Sequence, residues 1–237
     1  MRSFAFLVLF FSLSTQLFSE EVAVLTFIQG KVSFIASGKT KAESVKLNQI
    51  LKAGDSIQTE NGICELQLAT QATIRIEKFS RIFLEDILNP KTKQTKVRAM
   101  AGKLFVKVHK HEKTKNHQLS VVSPSYVAGV RGTEFIVSNP DEGGTNPDLD
   151  LESGVFVNEG SVAVSGPDKK EVMVKQNEEI VLKGKDFKKQ ILSNYAKEKM
   201  QIFQKLSQMK EENYQLFKEQ HLNNQKLMEE MKGKTNE

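Results

Sequence analysis

Ile63-Cys64-Glu65-Leu66-Gln67-Leu68 and, a little further on, Thr73-Ile74-Arg75-Ile76 carry apolar side chains at alternate positions, Leu66, Leu68, Ile74 and Ile76 among them. Side chains leave a pleated backbone on opposite sides in turn, so this period belongs to strands with one buried face. Asn61-Gly62, just ahead, is a turn pair, because Gly accepts positive φ and Asn tolerates it. Towards the N-terminus the habit recurs in Val22-Ala23-Val24-Leu25-Thr26-Phe27-Ile28, Val32-Ser33-Phe34-Ile35 and Ser56-Ile57-Gln58-Thr59, punctuated by Gly30, Ser37-Gly38 and Ala53-Gly54-Asp55. Towards the C-terminus come Arg81–Leu84, Lys103–Val108, Leu119–Val122, Glu134–Val137, Gly154–Val157, Ser161–Val164 and Glu171–Val174. Many short strands at close spacing predict a mainly β fold of the sandwich, barrel or solenoid kind. No strict repeat chooses among these.

After Gly184 the composition turns to Lys, Glu, Gln, Leu and Met without Pro, which predicts a long helix over residues 185–237. Two heptad-spaced series run along it: Leu192, Lys199, Leu206, Asn213, Gln220, Leu227, and Tyr195, Ile202, Met209, Leu216, Asn223. The polar members interrupt a coiled-coil seam. Met200, Phe203, Tyr214 and Phe217 lie outside it, and this wide apolar stripe has three uses: docking on the β domain over an exposed strand edge, pairing with another helix, or lying free on a membrane surface.

The N-terminus reads as a secretory signal peptide over residues 1–19, with Arg2 followed by an apolar run from Phe4 to Leu13 too short to span a bilayer. Ser19 is the expected cleavage point, and no other run is long and apolar enough for a membrane helix. The expected location is the periplasm or the cell surface. The remaining organisation is an all-β domain over residues 20–184 and then the helix. The net charge of +5 is modest, and the lone Cys64 reads as an inert small hydrophobe, its register left open.

Val127-Ala128-Gly129-Val130-Arg131-Gly132-Thr133-Glu134-Phe135 stands out between two β-patterned runs. Arg131 has five donors in a rigid fork that suit carbonyls left unpaired where strands turn, and Gly132 permits a bulge or close crossing. Gly129, Val130, Arg131, Gly132, Thr133 and Phe135 are therefore assigned a structural role, with ligand contact by Arg131 as the alternative.

This stretch resembles the signature of the FecR-type periplasmic domain. The resemblance extends to Leu51–Thr59, Ala101–Val106, Val121–Ala128 and Val157–Val162, in the family's order. It implies a β-helix or β-sandwich-like domain and no cofactor. In the best-known members the domain belongs to a transmembrane regulator that senses ferric citrate uptake and controls a sigma factor. This chain shows no anti-sigma segment ahead of a membrane helix, so the leading expectation is a non-enzymatic exported module that binds or scaffolds. A sensor of iron uptake and a polyanion- or glycan-binding surface protein are the alternatives.

His109, His111 and His117 could converge if the chain turns at Lys113-Thr114-Lys115-Asn116, which makes them a transition-metal candidate against the plainer reading of a solvated loop. Lys107, Lys110, Lys113 and Lys115 form a candidate polyanion patch, with an ordinary basic hairpin as the alternative. The patch lacks interleaved aromatics for base stacking, so no nucleic-acid partner is expected and an envelope protein or glycan is. Asp141, Glu142, Asp148, Asp150 and Glu152 fit no EF-hand spacing. No nucleophile elbow, metalloprotease His pair or phosphate loop is present, and no residue is singled out as catalytic.

Overall fold

The structure is a computed structural model that describes residues 22–68, 72–89, 91–109, 118–130, 132–140, 151–166, 170–183 and 186–234, the side chains at 230 and 232–234 excepted. In chain order the strands are β1 (Ala23–Gln29), β2 (Val32–Ile35), β3 (Glu43–Ser44), β4 (Ile50–Leu51), β5 (Ser56–Thr59), β6 (Ile63–Leu68), β7 (Ala72–Ile76), β8 (Arg81–Asp86) and β9 (Gln94–Val108). Then come β10 (Gln118–Val122), β11 (Val127–Val130), β12 (Glu134–Asn139), β13 (Gly154–Glu159), β14 (Ser161–Ser165), β15 (Glu171–Lys175), β16 (Glu178–Lys183) and β17 (Asp186–Ile191). Helix α1 (Asn194–Lys234) follows. The fold is mainly β with one long C-terminal helix.

The pairings sort the strands into two layers. One runs β4-β1-β6-β7-β9-β12-β13-β16-β17 and is here called the helix-side sheet. The other runs β3-β2-β5-β8-β9-β10-β11-β14-β15 and is the open sheet. Down either layer the strands follow nearly in chain order, because the chain makes one or two strands in one layer and steps to the other. The result is a stacked sandwich whose sheet does not close.

β9 belongs to both layers. Its first half pairs with β8 and, in parallel, with β10 in the open sheet; its second half pairs with β7 and β12 in the helix-side sheet. The bend falls at Gly102, where φ is +89° and an added Cβ would collide with Ser80. Asn139 Nδ2 holds the bend by donating to the carbonyl oxygens of Ala99 and Met100 at 3.3 and 2.9 Å.

Between the layers lies one core that takes Leu66, Ile74 and Val106 from the helix-side sheet and Ile57, Ile82 and Val97 from the open sheet. Each such fully buried aliphatic side chain contributes roughly 1.5–3 kcal/mol. Cys64 is a core residue here, and burial pushes its thiol up to about 12. Tyr126 ties the layers together from the turn before β11: its one hydroxyl proton is shared between the carbonyl oxygens of Ser138, at 2.7 Å, and Gly154, at 2.8 Å.

The expected helix over residues 185–237 is corrected at its start. Asp186–Ile191 is a strand along β16, and the helix begins at Asn194. The Lys- and Gln-rich outward positions of this edge strand resemble a helix by composition. Such charges keep a sheet edge from pairing further.

Candidate functional site

Across the outer face of the helix-side sheet one row of paired residues runs Phe27, Glu65, Arg75, Phe105, Ile136, Phe156, Glu179, Gln190. α1 lies along this row. At its start Ser193 Oγ accepts from the Ala196 amide at 3.4 Å, as an N-cap does, and donates to Glu179 Oε2 at 3.0 Å. Glu179 is buried and also accepts from the Ser193 amide and from Gln190 Nε2, so both of its carboxylate oxygens are engaged. Leu192, Ala196 and Met200 then pack with Phe105, Ile136, Phe156, Leu151 and Val181 in a second core.

Further along, Phe203 stacks on Phe105 with ring centroids 4.4 Å apart and planes at 28°. The Arg75 guanidinium lies 5.4 Å from the Phe203 ring centre and 5.8 Å from that of Phe27, and pairs with Glu65 at 2.9 Å and Glu77 at 2.8 Å. Lys210 reaches the far end of the row, 2.5 Å from Glu65 and 4.6 Å from the Phe27 ring centre. The lengths agree: six strand spacings from Glu179 to Phe27 are about 29 Å, and seventeen residues from Ser193 to Lys210 rise about 26 Å. The helix therefore covers a sheet face, where the sequence suggested a strand edge.

A second feature sits at the turn before β12. Gly132 has φ +63°, and Thr133, Glu134 and Phe135 are buried behind it. Gly160, at φ +81°, presses against this turn so closely that a Cβ there would lie 2.7 Å from Thr133 Cγ2 and 2.8 Å from the Gly132 carbonyl oxygen. Lys107, Val108, His109, Gly132, Thr133, Glu134 and Glu159 line a cleft of about 140 Å³ beside it. Glu134 accepts from Asn158 Nδ2 at 2.9 Å and faces Lys107 Nζ at 3.5 Å. Thr133 Oγ1, by contrast, is buried with no hydrogen-bond partner among the described residues.

The signature residues thus divide. Gly129 lies mid-strand in β11 between Ser120 and Ala163, Val130 and Phe135 are core, and Gly132 and Thr133 make the turn; Arg131 lies outside the described residues. Of the metal candidates His109 lines the cleft, while His111 and His117 lie outside the described residues, as do Lys110, Lys113 and Lys115. No group of three metal-ligating side chains occurs among the described residues. In the basic stretch Lys96 and Arg98 are both held by Glu85, at 2.8 and 2.6 Å, and Lys107 by Glu134, so these cations have acidic neighbours within the fold. Glu134 and Glu159 were not among the expected site residues. Their only sequence signal was membership of the two Gly-containing stretches that the fold brings into contact.

Residues 55–163 match the family model described as FecR protein. That segment is a FecR domain. The match opens one residue before β5 and closes within β14, so it takes in the bent strand, the signature turn and Gly160. β1–β4, β15–β17 and α1 lie outside the matched part of the FecR domain. Two crystal structures of a candidate anti-sigma factor from Parabacteroides distasonis ATCC 8503 are similar at 16% identity, with TM-scores of 0.47 and 0.46. The similarity covers 58% and 57% of this chain and 60% and 58% of those chains. No curated protein matches the chain.

No described helix is long and apolar enough to cross a membrane.

Proposed function

We infer that this chain is an exported FecR-domain module of the bacterial envelope that works by contact and not by catalysis, with the stacked sandwich as platform and the distal part of α1 as its contact arm. One observation carries the reading. α1 is fastened to the sheet as far as Lys210, and from Glu211 to Glu229 every residue is exposed, Leu216, Phe217, Leu227 and Met228 among them. Large apolar side chains exposed together along one helix are what an interaction surface presents. Export is supported by the signal-peptide pattern of residues 1–19, and a regulatory setting by the FecR domain itself.

The test is a photo-crosslinking side chain placed at Phe217 of the full chain in cells that export it. The expected result is a crosslinked adduct that disappears when Leu216 and Leu227 are both changed to Asp. An arm that forms no adduct contradicts the reading. An adduct to an outer-membrane transporter would redirect it to uptake sensing, and enrichment on envelope glycan to adhesion through the Lys107 region.

A further inference from the structure

We propose that the distal part of α1 pairs, parallel and in register, with the same segment of a second copy of this chain. This deepens the contact-arm reading and rests on it.

The docked residues Ala196, Met200, Phe203 and Lys210 and the heptad-spaced residues sit on different sides of the helix. At about 100° per residue, Ile202, Leu206, Met209, Leu216 and Leu227 centre roughly 120° away from the docked face. Fastening α1 to the sheet therefore leaves this seam uncovered: Ile202 is 56% exposed, Met209 49%, Leu216 57% and Leu227 56%. Beyond Lys210 the helix continues for about 36 Å, to Lys234, at 1.5 Å per residue. A helix of that length without tertiary packing is marginal in water, so a partner along the seam is what would keep it formed.

The area suits a partner of its own kind. Ile202, Leu206, Met209, Leu216 and Leu227, with Met228 flanking, expose roughly 100 Å² each on the scale of ~150–250 Å² for a whole aromatic side chain. That is about 600 Å² per copy, at the upper limit of what a monomer leaves open. Two copies would bury about 1,200 Å², above the ~1,000 Å² that a specific interface needs.

The polar seam positions choose the occupant and its direction. Between Leu206 and Leu227 they are Asn213, Gln220 and Asn223, all carboxamides and all exposed. A carboxamide both donates and accepts, so each is complementary to its own twin. Only a parallel, in-register pair sets Asn213 against Asn213, Gln220 against Gln220 and Asn223 against Asn223 with the leucines in layers between them. An antiparallel pair can match only two of the three amides with another amide at once, Asn213 with Asn223 or Gln220 with Asn223, and an apolar groove on another protein would leave all three facing aliphatic carbon.

The experiment uses the full exported chain with Asn213→Cys. The native Cys64 is buried and does not compete. Light scattering at high micromolar concentration is expected to give twice the chain mass. Mild oxidation is expected to join most of the chains through residue 213, and Leu216→Asp with Leu227→Asp is expected to halve the mass and abolish the crosslink while the β circular-dichroism signal stays. A monomer, a pair that survives the double substitution, or a pair that resists crosslinking at residue 213 overturns the proposal. A monomer that still crosslinks another envelope component at Phe217 would overturn self-pairing alone, whereas loss of both would overturn the contact-arm reading too.

Discussion

The ring of Phe203 on α1 stacks on the ring of Phe105 on β9, centroids 4.4 Å apart, at the middle of the row along which the helix crosses the sheet. Phe105 is buried and Phe203 half-buried, so the pair closes the second core against solvent. Phe203→Ala is expected to cost about 1–3 kcal/mol, less than the ~3–5 of a fully buried Phe. Hydrogen exchange should rise across 194–203 and stay unchanged in β6 and β7. Uniform deprotection of the sandwich would contradict this.

Arg75 serves two carboxylates and two rings at once, and its side chain is only 12% exposed. Arg75→Met would remove the guanidinium that joins Glu65 to Glu77 and leave Glu65 with the partly exposed Lys210, at a cost of about 2–4 kcal/mol by urea unfolding. Arg75→Lys should recover less than half of that, since an ammonium cannot fork to both acids. Full recovery by Lys would show that geometry is irrelevant there.

Thr133 and Gly160 make opposite demands at the signature turn. Thr133→Val removes a buried hydroxyl with no partner among the described residues and should leave stability unchanged or raise it by up to about 1 kcal/mol. Gly160→Ala forces a side chain onto the Thr133 methyl at positive φ and should cost about 2 kcal/mol or more. A thermal midpoint that falls for Thr133→Val would reveal a role for the hydroxyl within the fold.

Acid stability should depend on Glu85. Its carboxyl is held below the usual carboxylate range, first by the hydrogen bond from Lys96 and then by that from Arg98. A group depressed on folding binds fewer protons in the native state than in the unfolded one. Its contribution is therefore complete above the unfolded value near ~4.3 and is lost as pH falls through the lower folded value. Glu85→Gln should flatten that part of the stability curve below about pH 4.3 and leave its slope at neutral pH unchanged. An unaltered acid limb would contradict the assignment.

Much of the sandwich was legible because its strands are half-buried and alternate. Leu104-Phe105-Val106, Phe135-Ile136-Val137 and Val155-Phe156-Val157 carried a further signal, since unbroken apolar runs mean strands covered on both faces. What covers them could not be read, because the row they share exists only once the register is set. The first half of β9 was not read as a strand: its outward residues Lys96 and Arg98 are cationic and masked the inward Thr95, Val97 and Ala99. β3 and β4 are two residues each and carry no period. β17 was hidden by its lysines. At the signature turn the glycines were legible as backbone necessities, while the Thr133–Glu134–Glu159 cleft arises from β12 pairing with β13, a relationship no local pattern encodes.

α1 crosses the helix-side sheet from β17 towards β1, and the ion pair of Lys210 with Glu65 stands near the far end of that crossing, 145 positions apart in the chain. A zero-length carbodiimide crosslink on the full chain, read by peptide mass spectrometry, measures it directly. The account predicts an amide joining Lys210 to Glu65 within one chain, lost in Phe203→Ala. Lys210 crosslinked elsewhere, or unreacted while surface pairs such as Lys31 and Glu60 are joined, would contradict it.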